Sequence, residues 1–367
     1  MIELDHNAGS PLRPEARDAV VAALDTGGNA SAVHRHGRRA KALLEEAREA
    51  IAAAVGVGAD RVVFAGSGTE ADALALHGRR VLASAVEHPA VLAQPGVVAT
   101  LPVDHTGRVR AEAIAAAVAR HEVDTVAVMA ANNETGVVQP LDAVRAALPD
   151  GIRLHVDAVQ APGRLDLGAI VGLADTVALS AHKLGGPPGV GALILGAEVE
   201  PAALLRGGGQ ERSRRAGTEN LPGIAGFAAA LTATLAADDG PRLAALRDEL
   251  AAGLRALVPD LAVLGEGAPR LATTLAVGVP GRRAESLVMA LDLAGVAVSS
   301  GAACSSGRVR TSHVLEAMGT PDALKQGMIR FSLGWSSTKA DIERALEVMG
   351  PALARRRTSL SAAIEVH

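Results

Sequence analysis

The chain has 367 residues, 49% of them hydrophobic and 21% charged, with a formal net charge of -4. That length exceeds what one hydrophobic core usually fills, which predicts two domains, and the absence of low-complexity tracts and internal repeats argues against disorder or a solenoid. Without basic runs, and with only Phe64, Phe227, Phe331 and Trp335 available as stacking surfaces, direct nucleic-acid binding is not expected.

The opening segment "MIELDHNAGS" has no basic stretch followed by an apolar one, and the longest apolar run, "GFAAALTATLAA", is too short for a bilayer. The expectation is a cytoplasmic protein with no membrane partner. Short β-branched runs then alternate with alanine-rich helical stretches: "RVVFA" (61–65), "RVLASAV" (80–86), "DTVAVMA" (124–130), "IRLHVDA" (152–158), "DTVALSA" (175–181) and "VGALILG" (190–196). This alternation predicts an α/β domain on a mostly parallel sheet. Ligands of such sheets gather at the carboxyl ends of the strands. The clusters "GSGTEAD", "EHPA", "NNETG", "DAVQ" and "AHK" each follow one of these runs, so they should converge. Beyond "GFAAALTATLAADDGP" come an amphipathic helix, "RLAALRDELAAGLRALV", and strand-like "TTLAVGV" and "GVAVSS". The domain boundary is placed near residue 237, with a smaller α+β domain after it.

Lys183 is one of four lysines among 36 basic residues. An ammonium can lose its proton and become a nucleophile, which a guanidinium effectively cannot. If Lys183 forms a Schiff base it needs a carbonyl cofactor, and pyridoxal phosphate makes three demands: a carboxylate for the ring nitrogen, donors at a helix start for the phosphate, and a flat partner for the ring. Asp157 ends a predicted strand and Gln160 follows it within reach of the ring hydroxyl. Gly68 and Thr69 open a helix, and Ser180 and His182 flank the lysine, all suited to phosphate. His88 suits the ring face, and Asn133 the ring oxygen or a substrate carboxylate. Taken singly, Asp157 could be a helix cap, "GSGTEAD" a capping segment, His88 a surface or satisfied core residue and "NNETG" a plain turn. One cofactor accounts for all the clusters together.

Cys304 is the only cysteine, which excludes an intramolecular disulfide and a multi-cysteine metal site. Its Ser-, Gly- and Ala-rich surroundings should bury little and be mobile, which favours a working thiol over a small core hydrophobe. Arg308 and Arg310 would favour a thiolate if they approach it. Arg330, between apolar neighbours in "GMIRFSLG", needs an anionic partner, either a substrate carboxylate or a structural salt bridge.

The series "LDHNAGSPL", "GNASAVHRHG", "GSGTEAD", "EHPAVL", "NNETGVVQP", "HVDAVQ", "SAHKLGGPPGVGAL", "GGGQERSRRAGTEN", "VSSGAACSSG" and "IRFSLG" resembles, in order and over nearly the whole chain, the cysteine desulfurases (NifS/IscS-like) of the class V aminotransferase group of fold-type I pyridoxal-phosphate enzymes. The resemblance implies a large domain, residues 12–237, with a mostly parallel seven-stranded sheet. It implies a smaller α+β domain from residues 1–11 and 238–367 that carries the cysteine. Lys183 is then the Schiff-base lysine, His88 the ring-stacking acid/base, and Asp157 and Gln160 the partners of the ring nitrogen and oxygen. Gly68, Thr69, Ser180 and His182 match phosphate contacts, and Thr218 matches a residue reaching the phosphate of the neighbouring subunit of a homodimer. Asn133 and Arg330 match the substrate-orienting pair, and Cys304 the nucleophile that takes sulfur from L-cysteine as a persulfide. The spacing from Cys304 to "SHVL" looks like the subgroup with a long cysteine loop, which hands sulfur to scaffold proteins. Iron–sulfur cluster assembly and tRNA thiolation are the destinations implied, and no metal site is. The chain departs from the family pattern at Gly9, Ser10, Ala30 and Pro188, and His34 and His36 receive no role. The rival readings are a transaminase, selenocysteine lyase or β-lyase of the same fold, in which Cys304 is dispensable, and a cofactor-free scaffold or regulatory subunit.

Overall fold

A computed structural model describes residues 1–301 and 312–354. Cys304, Arg308 and Arg310 lie outside the described residues. All six β-branched runs contain strands, and a seventh strand, Val97–Leu101, joins them in one sheet. The spatial order is Val62–Ala65, Gly191–Leu195, Thr176–Ser180, Arg153–Asp157, Thr125–Ala127, Val81–Ser84, Val97–Leu101. Pairing is parallel except at Gly191–Leu195, which is antiparallel to both of its neighbours. That strand returns from Ser180 through a short loop without a crossover helix, and so short a connection cannot bring the chain back parallel. The fold is the mostly parallel α/β class read from the sequence.

The inner strands are buried on both faces, which is why they read as unbroken apolar runs, and the edge strand Val62–Ala65 is buried as well. Val97–Leu101 forms an edge and exposes alternate residues, so it stands out less in the sequence. The helix Arg35–Val55 buries Leu44, Ala47, Ile51 and Val55, three or four residues apart, and so turns one stripe to the core. His34 caps it, its Nδ1 accepting from Gly37 N–H at 3.3 Å, which gives that histidine a local structural role. The helix Leu221–Ala237 is apolar nearly all round and mostly buried. No single helix among the described residues is long and apolar enough to cross a membrane.

A second apolar core gathers Leu243, Leu250, Leu254, Leu287, Phe331 and Ile342, and includes Leu4 from the start of the chain. It lies between the helices Gly240–Leu257, Ala284–Leu293 and Lys339–Ala354 and a three-stranded antiparallel sheet of Met328–Ser332, Thr274–Gly278 and Ala262–Val263. Ile2–Glu3 pairs in parallel with Val296–Ala297, and Asp5 bridges to Ser332. The first residues of the chain are thereby fixed to its last third. The run "GVAVSS" forms only this two-residue strand, followed by a bridge from Ser299 to Arg330.

Between the strand Gly191–Leu195 and the helix Leu221–Ala237, three consecutive non-glycine residues are left-handed: Glu211, Arg212 and Ser213, with φ of 47°, 58° and 68°. Such backbone costs of order 1 kcal/mol per residue and persists only where the surroundings over-determine it. Here the buried Glu211 carboxylate accepts two bonds from the Arg48 guanidinium at 2.8 Å each and a third from Phe64 N–H at 2.8 Å.

Candidate active site

The parallel strands deliver their carboxyl ends to one place. A cavity of about 340 Å³ there is lined by Gly68 and Thr69 after the first strand, His88 after Val81–Ser84 and Asn133 beyond Thr125–Ala127. Asp157 and Gln160 come from the end of Arg153–Asp157, and Ser180, His182 and Lys183 from the end of Thr176–Ser180. Arg330 reaches it from the smaller antiparallel sheet. Ten of the twelve sequence candidates therefore share one cavity. Thr218 is exposed and does not line it, and Cys304 lies outside the described residues.

The Lys183 ammonium donates to the carbonyls of Asn7 at 2.7 Å and Ala8 at 3.1 Å. Asp157 is buried; its Oδ1 accepts from Val159 N–H at 2.9 Å, and Oδ2 takes no bond from the described residues. Burial, and then the nearby Asp72, push the Asp157 carboxyl up to about 7. His88 Nδ1 accepts from Ala90 N–H at 3.1 Å. Burial, with Lys183 and His313 adding positive charge, brings the His88 imidazole down to about 4, so it is neutral at pH 7. His182 falls to about 4 for the same first reason and through Lys183.

The helix Gly68–Leu76 begins at the cavity, capped by Ser67, whose Oγ accepts from Glu70 N–H at 3.1 Å. A Cβ at Gly68 would lie 2.8 Å from Val159 Cγ2 and 3.2 Å from Ser180 Cβ, so only glycine lets this helix start pack against the neighbouring strand ends. Glu70, in the first turn, is tied to Arg215 at 2.7 Å. The positive end of the helix thus faces the cavity beside the Ser180 and His182 side chains, a donor set suited to an anion.

Several groups on this cavity or bonded to its lining, among them Asp5, Asn7 and Asp72 on the wall, were not singled out from the sequence. Asn7 donates to Asn133 O at 3.1 Å and Thr274 Oγ1 at 2.9 Å, while its carbonyl takes Lys183 and, at 3.2 Å, Gln160 Nε2. Arg164 binds Gln160 Oε1 and Asn7 Oδ1, so the Gln160 amide is engaged at both ends by protein. Arg330 donates to Asn133 O at 3.1 Å and forms an ion pair with Asp5 at 2.5 Å, and its buried Nε meets no partner among the described residues. Of the two partners open to Arg330, the structural salt bridge is present, and it sits on the cavity wall. Asp72 is wholly buried and meets His155 Nε2 at 3.1 Å, with burial pushing Asp72 up to about 8 and His155 down to about 4. Glu87, also wholly buried, accepts from Met129 N–H at 2.6 Å, and burial and Asp157 hold it well above the usual carboxylate range. Asp72 and Glu87 had a signal, in that each stands inside a quoted cluster. Only tertiary burial gives them their character.

An amine, a buried carboxyl and an anion-ready helix start around one cavity at the carboxyl edge of the sheet fit pyridoxal phosphate, with Lys183, Asp157 and the Gly68–Thr69 turn as its holders. Among the described residues no group of three or more His, Cys, Asp or Glu could hold a metal ion. The family model for class-V aminotransferases matches residues 2–345, and the chain belongs to that family. A cysteine desulfurase of Cereibacter sphaeroides is 42% identical, covering 95% of each chain, and an IscS-like cysteine desulfurase of Mycobacterium tuberculosis is 40% identical over 99% of each. A solved NifS-like protein from Rickettsia africae superposes with a TM-score of 0.88 at 30% identity, covering 96% of this chain and 99% of the other. Within the class-V family the chain falls among the cysteine desulfurases.

Proposed function

We propose that this protein is a pyridoxal-phosphate-dependent cysteine desulfurase that takes sulfur from L-cysteine, releases L-alanine and carries the sulfur as a persulfide on Cys304. The observation that carries the reading is the single cavity joining the Lys183 amine, the Asp157 carboxyl and the start of the helix Gly68–Leu76. The family membership and the printed names of the relatives support it.

Pyridoxal phosphate, when bound, supplies an electron sink for charge arising at the substrate α-carbon. Lys183 would hold it through Nζ, exchanging the bonds that now go to Asn7 and Ala8. Asp157 would face the ring nitrogen: a carboxyl that burial and Asp72 raise to about 7 would ionise beside a protonated ring. Gln160 would face the ring oxygen, and Gly68, Thr69, Ser180 and His182 the phosphate. His88, neutral at pH 7, accepts from Ala90 N–H at Nδ1 and so carries its proton on Nε2; it would lie on the ring face with that proton available to donate. The Lys183 amine, once released from the cofactor, would carry the α-proton. Arg330 and Asn133 would orient the substrate carboxylate, which competes with Asp5 for the guanidinium.

The net reaction balances: L-cysteine and the Cys304 thiol give L-alanine and the Cys304 persulfide. An S–S bond forms as the C–S bond breaks, and one thiol hydrogen ends on the methyl carbon. The reading extends to a cytoplasmic homodimer in which Thr218 serves the neighbouring subunit. It divides the chain into residues 12–237 and a smaller unit of 1–11 with 238–367. The persulfide passes to an acceptor or scaffold protein for iron–sulfur assembly or tRNA thiolation.

The test is incubation of the purified protein with L-cysteine, reading alanine and the mass of the Cys304 peptide. Wild-type protein should be yellow, release alanine and gain one sulfur on that peptide. Cys304→Ala should keep the colour and lose sulfur release. A transaminase or lyase would be indicated by sulfur release at the wild-type rate from Cys304→Ala, and a cofactor-free scaffold by colourless wild-type protein.

A further inference from the structure

Glu134 follows Asn133 in "NNETG", and nothing in the reaction outlined above uses it. It is buried, and its Oε2 accepts from Ser312 Oγ at 2.5 Å, the length of a charge-assisted O–H···O bond. Ser312 immediately follows residues 302–311, which carry Cys304. On the other side of that segment stands Gly301, buried on the cavity wall. A Cβ added there would lie 2.5 Å from the same Glu134 Oε2 and against Met328 Sδ. One carboxylate oxygen therefore meets both residues that bracket the cysteine-bearing segment.

We propose that Glu134 is a positioning residue for sulfur transfer: its carboxylate binds Ser312, which follows the segment bearing Cys304, packs against Gly301, which precedes it, and so ties that segment's neighbours to the loop that presents Asn133. The inference rests on the desulfurase reading and deepens it. The carboxylate is itself held in place. Glu134 N–H donates to Asn132 Oδ1 at 3.0 Å, and Asn132 donates to Val86 O at 3.0 Å, which ties the loop to the strand end before His88. The Asn133 carbonyl accepts from Asn7 and Arg330, so the anchor and the substrate-orienting groups share one short stretch of backbone. Further support comes from the far end: His313 donates through Nε2 to Glu87 O at 2.9 Å, and Ser312 Oγ caps the next helix by accepting from Leu315 N–H at 3.2 Å. Burial pushes the Glu134 carboxyl up to about 7, with the Ser312 bond and Arg330 opposing, as befits a carboxylate kept inside by a few specific partners.

An anchor of this kind acts on the cysteine without holding cofactor or substrate, and that separates it from a wall residue. The experiment compares Glu134→Ala, Glu134→Gln, Ser312→Ala, Ser312→Thr and the double alanine variant as holoenzymes. It measures the single-turnover rate of Cys304 persulfide formation, the KM for L-cysteine and the cofactor absorbance before and after substrate. Glu134→Ala and Ser312→Ala should each slow persulfide formation about tenfold or more, since an ångström of misplacement can cost about a hundredfold. KM and both spectra should stay within about twofold of wild type. Glu134→Gln keeps an accepting oxygen and Ser312→Thr keeps the hydroxyl, so both should recover most of the rate. The double variant should be no slower than either single one, because the two residues act as one contact. Wild-type persulfide rates in both single alanine variants would overturn the proposal, as would a loss of cofactor or substrate binding that matches the loss of rate. If Glu134→Ala does not fold, the Ser312 pair carries the same prediction. Failure of the desulfurase reading shows separately, as absence of persulfide from the wild-type protein.

Discussion

The cavity and the segment around Glu211 both bury carboxyl groups, and they treat them in opposite ways. Glu211 meets the Arg48 guanidinium with two bonds and a backbone N–H with a third. Burial pulls Arg48 down, yet its bonds to Glu211 outweigh that and hold it above its ordinary value. Asp72 and Asp157 on the cavity wall, and Glu87 near them, are buried with no arginine bound to any of their carboxyls among the described residues, and burial drives all three upward. A compensated buried charge fixes backbone; an uncompensated one is ready to respond to an arriving cation. The first pattern marks a lock and the second a reactive site.

Breaking the lock should give the larger effect on stability. Arg48→Met strands the Glu211 carboxylate and should cost about 3–5 kcal/mol of unfolding free energy, read by chemical denaturation. The left-handed turn at Glu211 to Ser213 would lose what holds it, so the Thr218 segment should gain amide exchange while Lys183 and its neighbours keep their protection.

The cavity's acids should respond to pH. Asp72, at about 8, and Asp157, at about 7, hold protons in the folded chain that the unfolded chain releases near 3.8. Their folded-state pKa is raised, so the stability they favour is present at low pH and falls as pH rises toward 7 and 8. His6, His88, His155 and His182, lowered from 6.5 to about 4, work the other way, raising stability as pH climbs from 4 to 6.5. Above 6.5 the histidines no longer contribute and the carboxyls remain. The cofactor-free protein should therefore lose stability between pH 6.5 and 8, Asp72 alone supplying about 2 kcal/mol of the fall. Asp72→Asn should flatten that slope, and an unchanged slope would remove Asp72 from the account.

The same contrast explains what the sequence disclosed. Strands buried on both faces must be apolar along their length, so "DTVALSA" and its kin were legible, whereas the half-exposed edge Val97–Leu101 was not among the runs. The clusters after the strands pointed to the cavity because a parallel sheet aligns its carboxyl ends, a topological consequence that needs no side-chain detail. Asp5 and Asn7 could not be found this way, since their meaning lies in partners more than 120 residues distant, such as Arg330 for Asp5 and Lys183 for Asn7. The arginine of "GMIRFSLG" was readable as needing an anion, but nothing local identified the anion as Asp5.

The most direct test of the account exploits the scarcity of lysine. The protein loaded with pyridoxal phosphate would be reduced with borohydride, which fixes a carbon–nitrogen double bond between cofactor and amine, then digested and mapped by mass. The account predicts one pyridoxyl phosphate on the peptide containing Lys183 and none in Lys183→Ala. Label on Lys41, Lys325 or Lys339 instead, or on no lysine at all, would contradict it.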